Sequence, residues 1–272
     1  MRDNPVKQRI AEGGHAFGAM AFEFFSPGMP QIARAAGAEF IIFDMEHSGA
    51  GIETMKAQLA ACRGIGIVPG VRVPATQYHF IARCLDAGAM SIMVPMVETA
   101  AQARDIASYA RYPSAGGVRG AAFGVAHDDY EAGSVADKIA AAHARTQVIV
   151  QIETARGAEA AEEIAAVDGV DVLWLGHFDL TSFMGIPGQF EHPRYLDAVR
   201  AIVAAAERHG KVAGFMATDE TWARDYIGHG FRMMAYGLDS LLYQRALSQG
   251  LGAMREAARP APSKGRARRM GA

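Results

Sequence analysis

The sequence predicts an α/β fold, a (β/α)8 TIM barrel, and three features of its 272 residues point to it. Eight short apolar stretches alternate with amphipathic ones, which is the number that eight βα units require. Glycines stand near the ends of the helical stretches. Several apolar stretches lack any polar alternation, as in a sheet covered on both faces. A doubly wound open sheet has the same element order, and strand count alone does not exclude it.

Strands are predicted where short apolar runs lie between turn-forming residues. In chain order they are residues 16–24, 40–45, 66–73, 90–97, 147–152, 170–175, 211–216 and 231–236. Residues 41–43 (IIF) and 148–150 (VIV) show the unbroken apolar character of buried parallel strands. Since each strand is followed by a helix, the carboxyl ends of all strands are expected at one rim of the barrel.

Helices are predicted between the strands, where apolar residues recur at helical spacing. They are residues 29–37, 52–63, 78–87, 99–109, 157–167, 193–209, 219–228 and 238–258. Glycines fall near five of the helix ends, at Gly37, Gly64, Gly88, Gly210 and Gly230. A left-handed residue is favoured at such positions, and glycine adopts that conformation without a steric penalty.

Two segments lie outside this alternation. The connection 111–146 is too long for a simple loop, and we expect an extra helix in it over residues 130–144. The chain from residue 259 on is rich in Pro, Ala, Lys and Arg, which indicates a disordered basic tail without a nucleic-acid role. We therefore assign residues 1–258 to a single barrel domain and residues 259–272 to the tail.

Composition limits the classes of function. The chain is 50% hydrophobic and 21% charged, with a net charge of −2, so nothing points to nucleic acid or to an anionic membrane surface. Only Cys62 and Cys84 occur, so we expect no disulfide framework and a cytoplasmic location. No stretch approaches the roughly 20 apolar residues of a membrane helix, and we expect no signal peptide.

Two acidic residues that follow two neighbouring strands are the strongest functional signal. Glu153 comes directly after the strand 147–152, and Asp179 follows the strand 170–175. The strand–helix–strand order brings both carboxylates to one rim, where converging oxygen ligands suit a hard divalent cation. Two protein ligands leave coordination positions for water and substrate, so such a site could do chemistry.

Other polar residues close further strands at the same rim. They are Asp44, Glu46, His47, Arg72 and Gln151. Each has a purely structural alternative: Asp179 could cap a short helix, Arg72 could belong to a structural ion pair, and His47 could be an exposed loop residue. Their coincidence at one predicted rim favours a functional site. No lysine stands at a strand end, since Lys211 begins a strand, which argues against a Schiff-base aldolase.

Six short motifs resemble those of the HpcH/HpaI aldolases. They are residues 43–49 (FDMEHSG), 71–74 (VRVP), 85–89 (LDAGA), 94–99 (VPMVET), 117–120 (GVRG) and 151–154 (QIET). The similarity runs in order from about residue 14 to residue 246. This resemblance implies a barrel of the phosphoenolpyruvate/pyruvate-binding type. It also implies a metal-dependent class II aldolase that joins a pyruvate-like 2-oxo acid to an aldehyde or cleaves the product.

The resemblance also assigns roles to residues. Glu153 and Asp179 match the two metal-binding carboxylates, and the metal expected is Mg²⁺, Mn²⁺ or Co²⁺. Arg72 matches the arginine that holds the 2-oxo group and steadies the enolate, and Gln151 matches a substrate-contacting glutamine. The main-chain N–H groups of Phe178 and Asp179 match those that bind the substrate carboxylate.

The acid–base step is assigned in the same way. His47 matches the histidine that moves the proton of the C4 hydroxyl, with Asp44 close by in the motif. Asp86 matches an aspartate that raises the basicity of this histidine from a neighbouring subunit. The resemblance implies a homohexamer built from trimers with the last helix exchanged between subunits, and its partners are small molecules.

One motif departs from the family pattern. Family members read Gly-Pro-Ala-Asp-Leu before the second carboxylate, whereas residues 176–180 read GHFDL, so a different acceptor aldehyde is expected. Three alternatives stay open: an acyl-CoA lyase of the citrate-lyase-like branch, a non-catalytic barrel that binds a small acid, and a phosphate-binding barrel. The last lacks a glycine-rich phosphate loop after the eighth strand.

Overall fold

Eight parallel strands close into a barrel in the computed structural model, which describes residues 1–259. The strands are β1 Ala16–Ala21, β2 Phe40–Asp44, β3 Val68–Arg72, β4 Ser91–Val94, β5 Gln147–Ile152, β6 Val172–Leu175, β7 Val212–Ala217 and β8 Met233–Leu238. Neighbours in sequence pair with one another, and β8 pairs with β1. The predicted barrel is therefore confirmed, and the open sheet is excluded.

The helices alternate with the strands as predicted, with several additions. They are α1 Pro5–Ala11, α2 Met29–Ala35, α3 Ile52–Ala61, α4 Tyr78–Asp86, α5 Ala100–Ala110, α6 Val135–Arg145, α7 Ala155–Glu159, α8 Ala161–Ala165, α9 His177–Phe183, α10 Pro193–Arg208, α11 Glu220–Gly228 and α12 Asp239–Ala257. The stretch 157–167 is not one helix, because it divides into α7 and α8 at Ala160. The extra helix of the long connection is α6, which begins at Val135 rather than near residue 130, and α1 and α9 were not among the predicted helices.

Alternate residues of a strand enter two separate cores. Ile42 of β2 packs in one cluster with Ile10 of α1. Its neighbours Ile41 and Phe43 pack in the other cluster with Leu59 of α3. Because successive side chains of a strand point to opposite faces, the first cluster is the barrel interior and the second is the layer between strands and helices. Helix α1 thus closes the amino end of the barrel.

Strand β1 ends at Ala21 rather than near residue 24. The N–H groups of Phe22, Glu23 and Phe24 donate to Oδ2 of Asp239, at 3.2, 3.0 and 2.7 Å. These donors are thereby taken out of the sheet. Asp239 is the first residue of α12, so its carboxylate fastens the loop after β1 to the start of the last helix.

Helix α12 contributes little to the core of its own barrel. Of its 19 residues only Asp239 is buried, and Tyr243, Leu247, Leu251 and Met254 are exposed. No helix within residues 1–259 combines the length and apolar character needed to cross a membrane. The predicted basic tail lies, apart from its first residue, outside the described residues.

Candidate active site

Three predicted site residues face the barrel interior at the carboxyl ends of their strands. Asp44 is the last residue of β2 and lies opposite Arg72, the last residue of β3. Counting in twos from the interior residue Ile42 brings Asp44 to the inner face. The same count from Ile149 brings Gln151 there. Strand period and register, both set by the buried apolar residues, therefore place these polar side chains together.

Arg72 is held by two acidic residues. Its Nε donates to Oδ1 of Asp44 at 2.6 Å, and its Nη1 lies 3.1 Å from Oε2 of Glu46. Its Nη2 is buried and has no hydrogen-bond partner among the described residues. The ring of Phe22 packs over the guanidinium at 4.9 Å. The fork is thus fixed, with one nitrogen left for a ligand.

Asp44 organises the loop that follows β2. Its Oδ1 accepts the N–H of Glu46 at 3.1 Å, and its Oδ2 accepts the N–H of His47 at 2.8 Å. Asp44 is completely buried, whereas the His47 side chain is 56% exposed and its Nε2 lies 3.6 Å from Oε2 of Glu46. Asp44 therefore acts through Arg72 and this loop, and the carboxylate beside the histidine ring is Glu46.

Glu153 is free of the capping role that a loop carboxylate often has. The N-cap of α7 is Thr154, whose side chain accepts the N–H of Gly157 at 3.0 Å. Glu153 is buried, its Oε1 accepts the N–H of Met96 at 2.6 Å, and its Oε2 accepts Nε2 of Gln151. The Met96 backbone is left-handed, with φ of 56°, so an uncommon conformation aims this N–H at the carboxylate.

Asp179 lies in the first turn of α9, the helix that follows β6. The N-cap of α9 is Gly176, and no side chain caps this helix. Asp179 is therefore not a cap, and its carboxylate lines the cavity at the rim. The alternative of a structural capping residue is therefore wrong for Asp179.

Three carboxylates repel one another at this rim. The pKa of Glu153 is raised to about 7, first by burial and further by the negative charges of Glu46 and Asp179. The pKa of Glu46 is also raised, first by burial and further by Asp44 and Asp179, while Arg72 opposes the rise. Such a group of acids is destabilised by its own charge, and a cation among the carboxylates would relieve it.

The donor set fits a hard divalent cation. Each oxygen of Glu153 accepts one hydrogen bond, which leaves one lone pair on each. Within residues 1–259 no group of three His, Cys, Asp or Glu side chains is arranged to enclose a metal ion. A cation bound by Glu153 and Asp179 would keep most coordination positions for small ligands, as the sequence predicts.

A cavity of about 190 Å³ opens at this rim. Five predicted site residues line it, namely His47, Arg72, Gln151, Phe178 and Asp179. Glu153 lies directly behind the lining, because a Cβ atom on Gly176 would approach Cβ of Glu153 to 2.6 Å. The apolar wall, which includes Phe22, Trp174 and Met216, was not predicted from the sequence. Strand alternation could have predicted that Trp174 faces the barrel interior, because it belongs to the same interior cluster as Ile149.

His177, the first bulky residue of the unusual motif, lines the cavity and packs against aromatic rings. Its ring packs among those of Phe190, Phe215 and Trp222, with centroids 5.7, 4.9 and 5.0 Å away. Burial lowers its pKa to about 3, so the imidazole is neutral. The motif change therefore adds a neutral aromatic residue, backed by other rings, to the cavity wall rather than a charge.

Asp86 does not meet His47 within one chain. It ends α4, and its Oδ1 accepts Nη2 of Arg119 at 2.6 Å. Helices of this barrel run back against the strands, so the end of α4 lies toward the amino ends of the strands. Asp86 lines a different cavity on the outside of the barrel, together with Glu53 and Tyr130. A role for Asp86 beside His47 requires a second copy of the chain.

Comparisons with known proteins show that this chain is similar to enzymes of one family. The sequence model of the HpcH/HpaI aldolase/citrate lyase family matches residues 21–246. A hydroxypyruvate/pyruvate aldolase of Paraburkholderia phytofirmans is 37% identical over 91% of this chain and 96% of its own. A 5-keto-4-deoxy-D-glucarate aldolase of Klebsiella pneumoniae is 35% identical over 81% of this chain and 85% of its own.

A solved structure shows the same fold. An HpcH/HpaI aldolase/citrate lyase family protein of Burkholderia cenocepacia superimposes with a TM-score of 0.86 and 33% identity. The match covers 93% of this chain and 99% of the other chain. The similarity therefore extends over the whole barrel and is not limited to the rim motifs.

Proposed function

Since this chain belongs to the HpcH/HpaI aldolase/citrate lyase family, a group of metal-dependent carbon–carbon lyases, we propose that Glu153 and Asp179 bind its divalent cation. The chain is a class II aldolase, as the aldolases among its relatives indicate. The observation that supports the site is the meeting of three mutually repelling carboxylates, those of Glu46, Glu153 and Asp179, beside the one free nitrogen of Arg72. Mg²⁺, Mn²⁺ and Co²⁺ all suit such oxygen ligands.

Arg72 stabilises the negative charge of the reaction. When bound, the cation supplies a Lewis acid that polarises the carbonyl of a pyruvate-like 2-oxo acid. Nη2 of Arg72 donates to the oxygen that becomes negative as the enolate forms. Asp44 and Glu46 hold the other nitrogens, so the donor is already oriented. A preorganised donor of this kind typically lowers a barrier by about 3–4 kcal/mol.

His47 moves the proton. It lines the cavity and is exposed enough to exchange protons with solvent. In cleavage it takes the proton of the hydroxyl on the carbon that becomes the aldehyde, and in synthesis it returns that proton. Glu46 orients the ring from 3.6 Å away. Asp86 of a second copy would raise the basicity of the ring.

Gln151 and the start of α9 position the substrate. Nε2 of Gln151 donates to Glu153, while its buried Oε1 has no partner among the described residues and is available to a donor on the ligand. The N–H groups of Phe178 and Asp179 belong to the first turn of α9, where main-chain donors have no partner within the helix. They are suited to donate hydrogen bonds to the substrate carboxylate.

The chain acts as a homo-oligomer, by this proposal a hexamer built from trimers. Helix α12 supports it, because its apolar residues Leu247 and Leu251 are exposed and only Asp239 is buried in its own barrel. An apolar face of this length is usually covered by another chain. We place the enzyme in the cytoplasm and its substrates among small 2-oxo acids and aldehydes.

Exchange of the methyl protons of pyruvate with D₂O, followed by NMR, tests the proposed function. Enolate formation without any aldehyde requires only the donor half of the site. We expect exchange with Mg²⁺ or Mn²⁺, its loss after chelation, and its return when metal is added back. Malyl-CoA serves as the control substrate for the citrate-lyase-like alternative. Absence of exchange in the metal-loaded protein would contradict the proposal.

A further inference from the structure

We propose that the acceptor aldehyde of this enzyme carries an apolar, uncharged chain, and that Phe178 forms the surface that receives it. The inference rests on the proposed function, because it concerns the second substrate of the same site. It starts from the unequal distribution of charge in the rim cavity. The charged residues Arg72 and Asp179, with His47 and the amide of Gln151, line one part of the wall, and the remainder is apolar apart from the neutral imidazole of His177.

The apolar part of the wall comes from several elements. Its apolar residues are Met20, Phe22, Trp174, Leu175, Phe178, Met216 and Leu238. A small pocket with few charged groups and a continuous apolar wall selects ligands by shape and hydrophobic burial. The polar groups suffice for the 2-oxo acid, and the hydrocarbon wall is left for the other substrate.

Within one chain, the described residues of the cavity wall include no second cationic side chain for an acceptor carboxylate. Among the described residues that line the cavity, Arg72 is the only arginine or lysine. Asp44 and Glu46 hold two of its nitrogens, and the third is engaged by the keto oxygen in the proposed reaction. Glu153 and Asp179 balance the charge of the proposed divalent cation, so neither the cation nor these carboxylates leave a positive charge for the acceptor. A second carboxylate on the acceptor would therefore be left without a partner.

Phe178 is held in place at the cavity mouth. The residue is 53% exposed, although a ring of this size is more stable when buried. Its centroid lies 4.3 Å from that of His177 and 5.5 Å from that of Phe190, in an edge-on contact with the latter. His177 is backed in turn by Trp222. The exposed face of Phe178 is thus supported from behind, as in a preformed binding surface.

The same helix offers a comparison residue. Phe183 also belongs to α9 and is 56% exposed, but it does not line the cavity. Removing either ring from α9 has a similar effect on exposed apolar surface. Only the Phe178 ring adjoins Asp179 and the cavity, so only its removal is expected to change the choice of aldehyde.

Two aldehydes of equal carbon number test the inference. Butanal and succinic semialdehyde differ in the terminal carboxylate, and each is offered with pyruvate to the full metal-loaded chain. We expect kcat/KM for butanal to exceed that for succinic semialdehyde by about tenfold or more. Phe178→Ala should reduce this ratio by about tenfold, mainly through KM for butanal, and Phe183→Ala should leave it unchanged.

A charge substitution provides a second, independent measurement. Phe178→Lys places a cation at the mouth and is expected to raise kcat/KM for succinic semialdehyde relative to butanal. The inference is overturned if wild type prefers the semialdehyde, or if Phe178→Ala and Phe183→Ala give equal ratios. Pyruvate proton exchange, measured on the same samples, separates the two proposals. Its absence contradicts both, whereas exchange with a preference for the semialdehyde contradicts the apolar acceptor alone.

Discussion

Arg72 and Asp44 form a buried pair in which Nε of the guanidinium donates to Oδ1 of the carboxylate at 2.6 Å. Asp44 is 0% and Arg72 5% exposed. The same carboxylate accepts the N–H groups of Glu46 and His47. One acid therefore fixes both the proposed charge-stabilising group and the loop that carries the proposed base.

Replacing Arg72 by lysine should abolish most of the activity. A lysine keeps the positive charge but cannot bridge Asp44 and Glu46 while it presents a further donor to the substrate. We expect kcat/KM for cleavage to fall by about 100- to 1000-fold, as when one preorganised donor is lost. Steady-state kinetics with circular dichroism as a folding control provide the measurement, and near-wild-type rates would remove Arg72 from the transition state.

Glu153→Gln should separate metal binding from folding. The amide keeps the shape and an acceptor for Met96, but it lacks the charge that a cation needs. Metal affinity should fall by more than about 100-fold, beyond the 10- to 100-fold typical of residues behind the ligands. Calorimetric titration with Mn²⁺ checks this. Metal-free Glu153→Gln should also melt no lower than metal-free wild type, because it relieves the repulsion with Glu46 and Asp179.

Gly176→Ala tests how closely the two rim strands must approach. An added Cβ would lie 2.6 Å from Cβ of Glu153 and 2.9 Å from Nε2 of Gln151. We expect a loss of about 1–3 kcal/mol in stability together with weakened metal binding. Gly49→Ala is the control, because its Cβ would meet nothing within 4 Å. Equal melting temperatures and equal Mn²⁺ affinities for the two variants would show that Glu153 can move aside.

His127 should make folding stability depend on pH. It is buried in the long connection, and Nε2 donates to the carbonyl of Ala122 at 2.6 Å. Burial lowers its pKa from 6.5, an effect to which Arg119 adds. The neutral ring is therefore favoured in the fold, so its contribution is complete above about pH 6.5 and is lost as the pH falls below that value.

The variant His127→Gln provides the comparison for this pH dependence. A glutamine amide can replace the Nε2 donor but does not titrate. Urea unfolding at pH values of about 7.5 and 5.5 should show a larger loss of stability in wild type than in His127→Gln. Parallel pH profiles would show that protonation of His127 is not coupled to unfolding.

Charge on the exposed face of α12 should dissociate the assembly. Leu247→Asp and Leu251→Asp each place a carboxylate on the apolar face that we assign to an interface. Gln249→Asp adds the same charge to an exposed polar position of this helix and serves as the control. Light scattering should report a smaller species for the two leucine variants only. A monomeric wild type would contradict the proposed oligomer.

The order of the elements could be predicted from the sequence because buried strands and amphipathic helices have different apolar periods. Element order alone left an open sheet possible, because closure depends on the pairing of β8 with β1, which joins residues from the two ends of the chain. The count of eight strands and the resemblance of the motifs favoured the closed barrel. The end of β1 was misplaced for a similar reason: Phe22 and Phe24 favour a strand, but a distant carboxylate, Asp239, captures their N–H groups. The contact with Asp239 therefore overrides the strand propensity of this segment.

The site residues that directly follow strands could be predicted from the sequence. Those whose position depends on contacts between distant segments could not. Glu153 and Arg72 stand at strand ends, so their rim position follows from the strand assignment alone. The N–H of Met96 points at Glu153 because the Met96 backbone is left-handed, and no sequence pattern predicts that conformation. The aromatic rings around His177 come from β7, α11 and the segment before α10, which are distant in sequence, so this cluster could not be predicted either.

The carboxylate of Asp239 has a mechanical consequence. It grips three successive N–H groups of the loop after β1, and Phe22 in that loop covers the guanidinium of Arg72. Asp239 is also the first residue of α12. A displacement of the last helix would therefore move the loop after β1, and with it the ring that covers Arg72, through these three hydrogen bonds. Assembly and turnover would then be linked: a lone subunit with an unsupported last helix would hold its aromatic cover less firmly.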